Sequence, residues 1–262
     1  MNQTEMVKTM IEQVDFLQKH RLVAVIPSGS RLYNLETESS DYDYKFIYVP
    51  TSEEVYYAKQ EQSKNFRCKK GDYHFEINAQ DIRFFINQLR KSPITALELL
   101  FYKGEYVPNG LEHLFDMEVY HSIFKPLVEN KELVEQNNVM GIYDSLTGQM
   151  FQRKKKLEKN GSFKKDYTHF LRYSSLLTTW DGHLKPERII LTEEDDLHLK
   201  EIRTGELTFY TPVALQTVDE HIAFVQSKPF KERFRVKNED AVKFLDSIDK
   251  SLMHLLVRER GF

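Results

Sequence analysis

The chain has 262 residues, of which 40% are hydrophobic, 13% aromatic and 29% charged, with a formal net charge of −3 at pH 7. This composition is typical of a folded globular protein and excludes a disordered chain, and the length suits one large or two ordinary domains. The single cysteine, Cys68, excludes an internal disulfide and indicates a reducing compartment. Because neither a signal peptide nor a membrane-spanning apolar run is present, we expect a cytoplasmic protein without a membrane partner.

The first half of the chain shows alternating helix and strand patterns. Apolar residues recur at helical spacing from Met6 to Leu17 and predict an amphipathic opening helix. The pattern then predicts a strand over residues 22–26, a turn at 28–30, a strand over 41–49, a helix or loop over 51–71, a strand over 73–78, and helices over 82–89 and 94–101. The second half is mainly helical, with patterns over residues 133–157, 166–180 and 240–258.

The strand that begins at Asp41 carries acidic side chains on one face. Because side chains alternate along a strand, Asp41, Asp43 and Lys45 share one face and the intervening aromatic residues share the other. Two neighbouring carboxylates repel each other unless a cation lies between them, and hard oxygen ligands favour magnesium. The preceding turn, with Gly29 and Ser30, can bind phosphates through backbone N–H groups. Together these features predict metal-assisted transfer from a nucleoside triphosphate (NTP).

The stretch GSRLYNLETESSDYDYKFIYV, residues 29–49, resembles the signature of the nucleotidyltransferase superfamily that contains DNA polymerase beta. Within it, the chain is most similar to the predicted nucleotidyltransferases of the YcgL-like or RlaP type. The resemblance implies an α+β fold with a small mixed-sheet core, assigned to residues 1–115, and a mainly helical substrate-binding domain, assigned to residues 116–262. It also implies that Gly29 and Ser30 hold the triphosphate and that Asp41 and Asp43 hold two magnesium ions.

A third acidic residue from a later strand completes the metal site in that superfamily. Tyr73, Phe75 and Ile77 have the parity of core residues, which leaves His74 and Glu76 on the polar face. Glu76 is therefore the predicted third carboxylate, and Asp72, which has the same parity, is the alternative. Lys45 is predicted to contact phosphate or tune the carboxylate pKa values, and Arg31 to make a further phosphate contact.

Two basic segments bear on the substrate. Residues 151–173 hold eight Lys or Arg residues against two acidic ones, and residues 228–237 hold five against one, with Phe230 and Phe234 between them. Basic patches with interleaved aromatic residues suit phosphate backbones and exposed bases, although a solvated helix face has the same composition.

Two further elements resemble those of the same relatives. The run from Lys165 to Tyr173 resembles a Lys-x-x-x-His-x-x-Arg helix, and the run around Arg203 resembles an Ile-Arg-x-Gly element. The resemblance makes Lys165, His169, Arg172 and Arg203 candidates for nucleotide binding. A histidine on such a face can instead be a structural hydrogen-bond donor.

We therefore predict a magnesium-dependent nucleotidyltransferase that moves NMP from an NTP to a hydroxyl acceptor and releases pyrophosphate. RNA, for instance a tRNA end, is the preferred acceptor. Two alternatives stay open, a nucleotide- or RNA-binding regulator of the same fold without turnover and an enzyme that nucleotidylates protein. The sequence leaves the NTP base undecided, and a small-molecule hydroxyl also stays open as the acceptor.

Overall fold

Four strands form one mixed sheet in the order β1-β2-β4-β3. The computed structural model describes residues 1–38, 40–56, 63–159, 163–191, 193–206 and 211–258. The strands are β1 (Arg21–Pro27), β2 (Tyr42–Val49), β3 (Ser63–Lys70) and β4 (Tyr73–Asp81). β1 is antiparallel to β2, β2 is parallel to β4, and β3 is antiparallel to β4. The predicted small mixed sheet is therefore confirmed.

Helices flank the sheet and make up most of the chain after it. They are α1 (Gln3–Gln13), α2 (Asp15–Lys19), α3 (Ser52–Tyr56), α4 (Ile82–Lys91), α5 (Ile94–Leu97), α6 (Met117–Val119), α7 (Lys125–Glu129), α8 (Lys131–Glu135), α9 (Val139–Glu158), α10 (Phe163–Thr178), α11 (Pro186–Ile189), α12 (Glu193–Thr204), α13 (Thr211–Gln226), α14 (Lys228–Glu232) and α15 (Glu239–Arg258). This order confirms an α+β fold in which a helical region follows the sheet. Of the helices in the described ranges, none has both the length and the apolar character needed to span a bilayer.

Both faces of the sheet are buried over part of their area. On one face, Tyr44, Phe46 and Tyr48 of β2 pack with Phe75 of β4 against the apolar side of α1 and α2. On the other face, Ile47 of β2 joins a larger core that extends through α4 and α9 to α15. The predicted alternation of β2 is thus confirmed. The larger core contains residues from both sides of residue 115, and the domain division there stays a prediction.

Local signals account for the element ends beside the site. The side chain of Asp81 accepts a hydrogen bond from the backbone N–H of Arg83 and so begins α4. Ser92 ends α4 in the left-handed conformation, with φ 51°, and its hydroxyl donates to the carbonyl of Leu89. Pro93 follows, so the predicted interruption between two helices is confirmed.

Two predicted elements need correction. The opening helix is two helices, because Val14 adopts an extended conformation between α1 and α2. Residues 51–71, predicted as a helix or loop, contain α3 and the whole of β3, while residues 57–62 lie outside the described part of the chain. β3 has only a weak apolar alternation, Phe66 and Cys68, because it is an edge strand whose residues are all exposed or half-buried.

Candidate functional site

A polar cleft of about 760 Å³ lies between the N-terminal part of β2 and the helices α9, α10 and α12. Eight of the residues predicted from the sequence line it: Gly29, Ser30, Asp41, Asp43, Lys45, Lys165, His169 and Arg203. The helical region therefore forms one wall of the cleft and the sheet forms the other. Residues from both halves of the chain therefore surround one cavity.

The turn after β1 contacts Asp43 closely. Gly29 has φ +63°, in the left-handed region, and a Cβ atom at this position would collide with Oδ2 of Asp43. The backbone N–H of Ser28 donates to the carbonyl of Asp43 at 2.8 Å. Residues 29–31 then form a short 3-10 turn. Only glycine can bring the backbone of this turn so near the carboxylate.

Asp43 and Glu76 are neighbours on adjacent strands. They are partners in the parallel register of β2 and β4, so their side chains lie on the same face of the sheet. Burial raises the pKa of Asp43, and the negative charges of Glu76 and Asp41 raise it further, whereas Lys165 and Arg31 oppose the shift. Asp41 is exposed just before β2 begins. The carboxylates thus form an excess of negative charge beside the glycine turn.

The oxygen donors fit a hard cation in their chemistry, since magnesium prefers carboxylates. In the ranges that the structure describes, however, no three His, Cys, Asp or Glu side chains are gathered closely enough to hold a metal ion. Glu76 Oε1 instead forms an ion pair with Arg67 at 2.6 Å. The alternative residue, Asp72, lies in the turn between β3 and β4, before the part of β4 that pairs with β2.

Cations dominate the wall opposite the carboxylates. Five basic residues line the cleft: Arg153, Lys156, Lys165 and Arg203 on the helical wall, and Lys45 on β2, the strand of Asp43. Arg153 is paired with buried Asp166 at 2.8 Å. Burial lowers the pKa of Lys45, and Glu98 opposes that shift. Positive charge in this position can neutralise phosphate oxygens and charge that develops on them.

His169 of the cleft is buried and lacks a hydrogen-bond partner at one ring nitrogen. It is 7% exposed, and its Nδ1 atom has no hydrogen-bond partner. Burial lowers the pKa of His169 to about 3, and the charges of Arg153, Arg172, Arg203 and Lys165 act in the same direction. The imidazole is therefore neutral at physiological pH, and its Nδ1 atom is buried without a hydrogen-bond partner.

This shift predicts a pH dependence of stability. Because the folded-state pKa of His169 is about 3, below the unfolded value of about 6.5, the unfolded chain binds an extra proton between these values. The stabilisation by neutral His169 is complete above pH ~6.5 and declines as the pH falls towards ~3. His169→Asn should reduce the slope of unfolding free energy against pH in this window by up to about 1.4 kcal/mol per unit.

Urea unfolding at several pH values measures this slope, and His254→Asn, which changes an exposed histidine of α15, is the matched control. Equal slopes for wild type and His169→Asn would contradict the assignment of a buried neutral imidazole.

Two predicted nucleotide-binding residues have other contacts. Arg172 is 1% exposed and donates to Glu98 at 3.2 Å and to the carbonyl of Ile189 at 3.0 Å. Its guanidinium also stacks on Tyr33, 3.5 Å from the ring centroid. Arg172 thus does not line the cleft and instead contacts Glu98 and Tyr33 from the buried side of α10.

Arg31 supports the loop that leads to Asp41. It donates to the carbonyls of Ser40 at 2.9 Å and Asp41 at 3.2 Å, and stacks 3.6 Å from the centroid of Tyr42. It lines a groove next to the cleft rather than the cleft itself, together with Lys165 and Arg203. These contacts hold the loop before β2 in its position.

The residues of the two basic segments lie in different parts of the structure, and only some of them line the cleft. Arg153, Lys156 and Lys165 line the cleft, whereas Lys154 pairs with Asp219 at 2.6 Å outside it. In the second segment, Phe230 and Phe234 are buried in the core, so neither can stack on an exposed base. The interpretation of these two aromatic side chains as base contacts is wrong, since they pack on the rings of Tyr143, Trp180 and Phe224.

Sequence reasoning missed Glu98 and Tyr33. Glu98 lines the cleft, is 3% exposed, and accepts a hydrogen bond from the hydroxyl of Tyr33. A lone acid within the apolar run from Ile94 to Phe101 was the available signal, because a buried carboxylate needs a partner. The tyrosine had no comparable signal.

Residues 3–180 match the family described as "RlaP: RNA repair pathway DNA polymerase beta family". No curated protein matches the chain. Among solved structures, the chain is similar to a nucleotidyltransferase-like protein from Exiguobacterium sibiricum 255-15, known from a crystal structure at 1.90 Å resolution. The two share 10% identity with a TM-score of 0.33, over 96% of this chain and 90% of that one.

Proposed function

The chain belongs to the RNA repair pathway DNA polymerase beta family, RlaP, and from that premise we propose that it transfers NMP from an NTP to a hydroxyl of RNA with magnesium as cofactor. The observation that supports this most strongly is the approach of the Gly29 turn to Asp43 inside a cleft with five basic residues. A phosphate-binding turn, a carboxylate and neutralising cations are the components that nucleotidyl transfer needs. The predicted cytoplasmic location is part of the same proposal.

In the proposed reaction, an oxygen of the acceptor hydroxyl forms a bond to the α-phosphorus of the NTP. The bond from that phosphorus to the oxygen bridging to the β-phosphate breaks, pyrophosphate leaves with the electron pair, and the hydroxyl proton passes to water. Two magnesium ions held by Asp41, Asp43 and Glu76 would activate the hydroxyl and stabilise the leaving oxygens.

The protein's own groups have separate tasks. Backbone N–H groups at Gly29 and Ser30 bind the β- and γ-phosphates, and Lys165 and Arg203 neutralise them from the helical wall. Neutral His169 lines the cleft and contacts the nucleotide there without carrying a charge. With a pKa of about 3, it is too weak a base to remove the acceptor proton.

A second candidate is a regulator that binds nucleotide or RNA without turnover. One observation favours it: no three potential metal ligands are already assembled in the described ranges. An enzyme that nucleotidylates protein uses the same site with another acceptor. The three candidates predict different destinations for a labelled nucleotide: RNA, protein, or neither of them.

The test is incubation of the purified protein with each α-labelled NTP, magnesium, and either total RNA or total protein. Magnesium-dependent label in RNA is expected. Label only in protein would select protein nucleotidylation, and NTP binding without incorporation would select the regulator.

The third carboxylate can be tested separately. Glu76→Gln should reduce transfer to RNA about a hundredfold or more. The variant loses one of the carboxylates that would hold the two magnesium ions, and these ions act on both the acceptor hydroxyl and the leaving oxygens. Asp72→Asn is the matched comparison and should leave transfer unchanged, since Asp72 lies in a turn beyond the β2–β4 pairing. Initial rates at saturating NTP measure both effects, and loss of activity only in Asp72→Asn would move the third carboxylate to Asp72.

A further inference from the structure

We propose that the acceptor RNA end binds on the exposed polar face of β3 and β4, where Arg67 and Lys69 contact its phosphates. This surface lies beside Asp43 but outside the cleft assigned to the NTP. The inference rests on the proposed function and adds the place at which the second substrate binds.

Asp43 lies between two openings. One is the cleft with the helical wall, and the other is a cavity of about 560 Å³ formed mainly by β3 and β4. Ser28 and Asp43 line both, and Asn65, Arg67 and Glu76 line only the second. A molecule in either opening therefore reaches the same carboxylate.

The strand register explains the character of the second opening. Asp43, Glu76 and Arg67 lie side by side on β2, β4 and β3. The next row contains Asn78 and Asn65, whose side-chain amides are hydrogen bonded at 2.8 Å. Because alternate residues of β3, such as Phe66 and Cys68, pack on the opposite face, this face is polar throughout.

The chemistry assigns one substrate to each opening. In an in-line displacement, the attacking hydroxyl and the leaving pyrophosphate are on opposite sides of the α-phosphorus. The Gly29 turn and the cations of the helical wall suit the triphosphate and its leaving group. The attacking hydroxyl then approaches from the other side of Asp43, which is the side of Glu76 and β3.

The charge of β3 favours a polyanion as the occupant. This strand has four basic residues and no acidic one: Lys64, Arg67, Lys69 and Lys70. Lys64 lies over the ring of Phe16 and Lys70 donates to Thr9, so both belong to the opposite face. Arg67 and Lys69 remain on the polar face.

Basic residues also protect edge strands from pairing with other chains, but that role does not require contact with a site. Arg67 does contact one, since it is paired with Glu76 directly beside Asp43. Its side chain is 82% exposed, so an RNA phosphate can reach it and accept two parallel hydrogen bonds from its guanidinium group. Binding of that phosphate would release the carboxylate of Glu76.

Two double variants of the same strand test the proposal. Arg67→Gln with Lys69→Gln removes two cations from the polar face, and Lys64→Gln with Lys70→Gln removes two from the opposite face. The probe is a fluorescently labelled single-stranded RNA oligonucleotide, and its affinity is measured by anisotropy at several salt concentrations. NTP binding is measured in parallel by calorimetry, so that neither readout depends on turnover.

We expect the Arg67/Lys69 variant to bind RNA about tenfold more weakly and to lower the slope of log affinity against log salt by about 1.4, with NTP affinity unchanged. The Lys64/Lys70 variant should bind both ligands as the wild type does. Equal RNA affinity in the Arg67/Lys69 variant, absence of RNA binding by the wild type, or acceptor activity only with protein would overturn the proposal. RNA binding that depends on Arg67 and Lys69 without any transfer would instead overturn the proposed function alone.

Discussion

Asp43→Asn is expected to lower nucleotide transfer about a thousandfold while the protein stays folded. Asp43 is the carboxylate that the two openings share, and it contacts the glycine turn that we assign to the triphosphate. Metal-ion stabilisation of a phosphoryl transition state contributes several kcal/mol, and each ~1.4 kcal/mol corresponds to a factor of ten in rate. Asp41→Asn should also abolish most transfer, because it removes the other half of the Asp-x-Asp pair.

The stability of Asp43→Asn should be equal to or greater than that of the wild type. The pKa of Asp43 is raised in the folded protein, by burial first and then by Glu76 and Asp41. A carboxylate whose folded pKa lies above its unfolded value destabilises the folded state near neutral pH, where it is ionised. Removing its charge therefore relieves repulsion. Thermal unfolding measures this, and kinetics with α-labelled NTP measures the rate.

Asp144→Asn is the matched control, because Asp144 is exposed on α9 and does not line the cleft. It should change neither rate nor stability by a measurable amount. Near-normal turnover of Asp43→Asn with magnesium would show that Asp43 is not a metal ligand.

Gly29→Ala is expected to reduce kcat/KM for the NTP about a hundredfold. The added methyl group would collide with Oδ2 of Asp43, so either the turn or the carboxylate must move from its position. A displacement of this size in a positioning element costs about 10²-fold in rate. The positive φ adds about 1–2 kcal/mol of strain to the folded state.

Gly110→Ala separates these two effects. Gly110 also has a positive φ, +83°, but a Cβ atom there would meet no atom within 4 Å. This variant should lose a similar amount of stability and keep its transfer activity. If Gly29→Ala retained wild-type kcat/KM, the close approach of the turn to Asp43 would have no role in nucleotide binding.

The parts of the fold that the sequence predicts well are those with one buried face. β2 and β4 were predictable because Tyr44, Phe46 and Phe75 alternate with polar residues, and the long helices because their apolar residues recur at helical spacing. β3 was not predictable, because an exposed edge strand needs no apolar alternation. The break at Val14 was also missed, since the apolar spacing continues through it.

The site, too, has parts that the sequence predicts and parts that it does not. The common face of Asp43 and Glu76 follows from residue parity, and the structure places them in one register row. The positions of Arg172 and Glu98 depend on how α10 packs against the rest of the core, which parity and spacing do not determine. The ion pair of Arg67 with Glu76 was hidden for a simpler reason, because β3 itself was not predicted.

The central claim is nucleotidyl transfer to RNA, and paired labelling of one NTP tests it most directly. The wild-type protein is incubated with magnesium, RNA, and the same NTP labelled either at the α- or at the γ-phosphate. Because the α-phosphorus becomes bonded to the acceptor and pyrophosphate leaves, we predict label in RNA from the α-labelled NTP only, with the γ-label recovered as pyrophosphate. Transfer of the γ-label to RNA, or no RNA label from any of the four α-labelled NTPs, would contradict the claim.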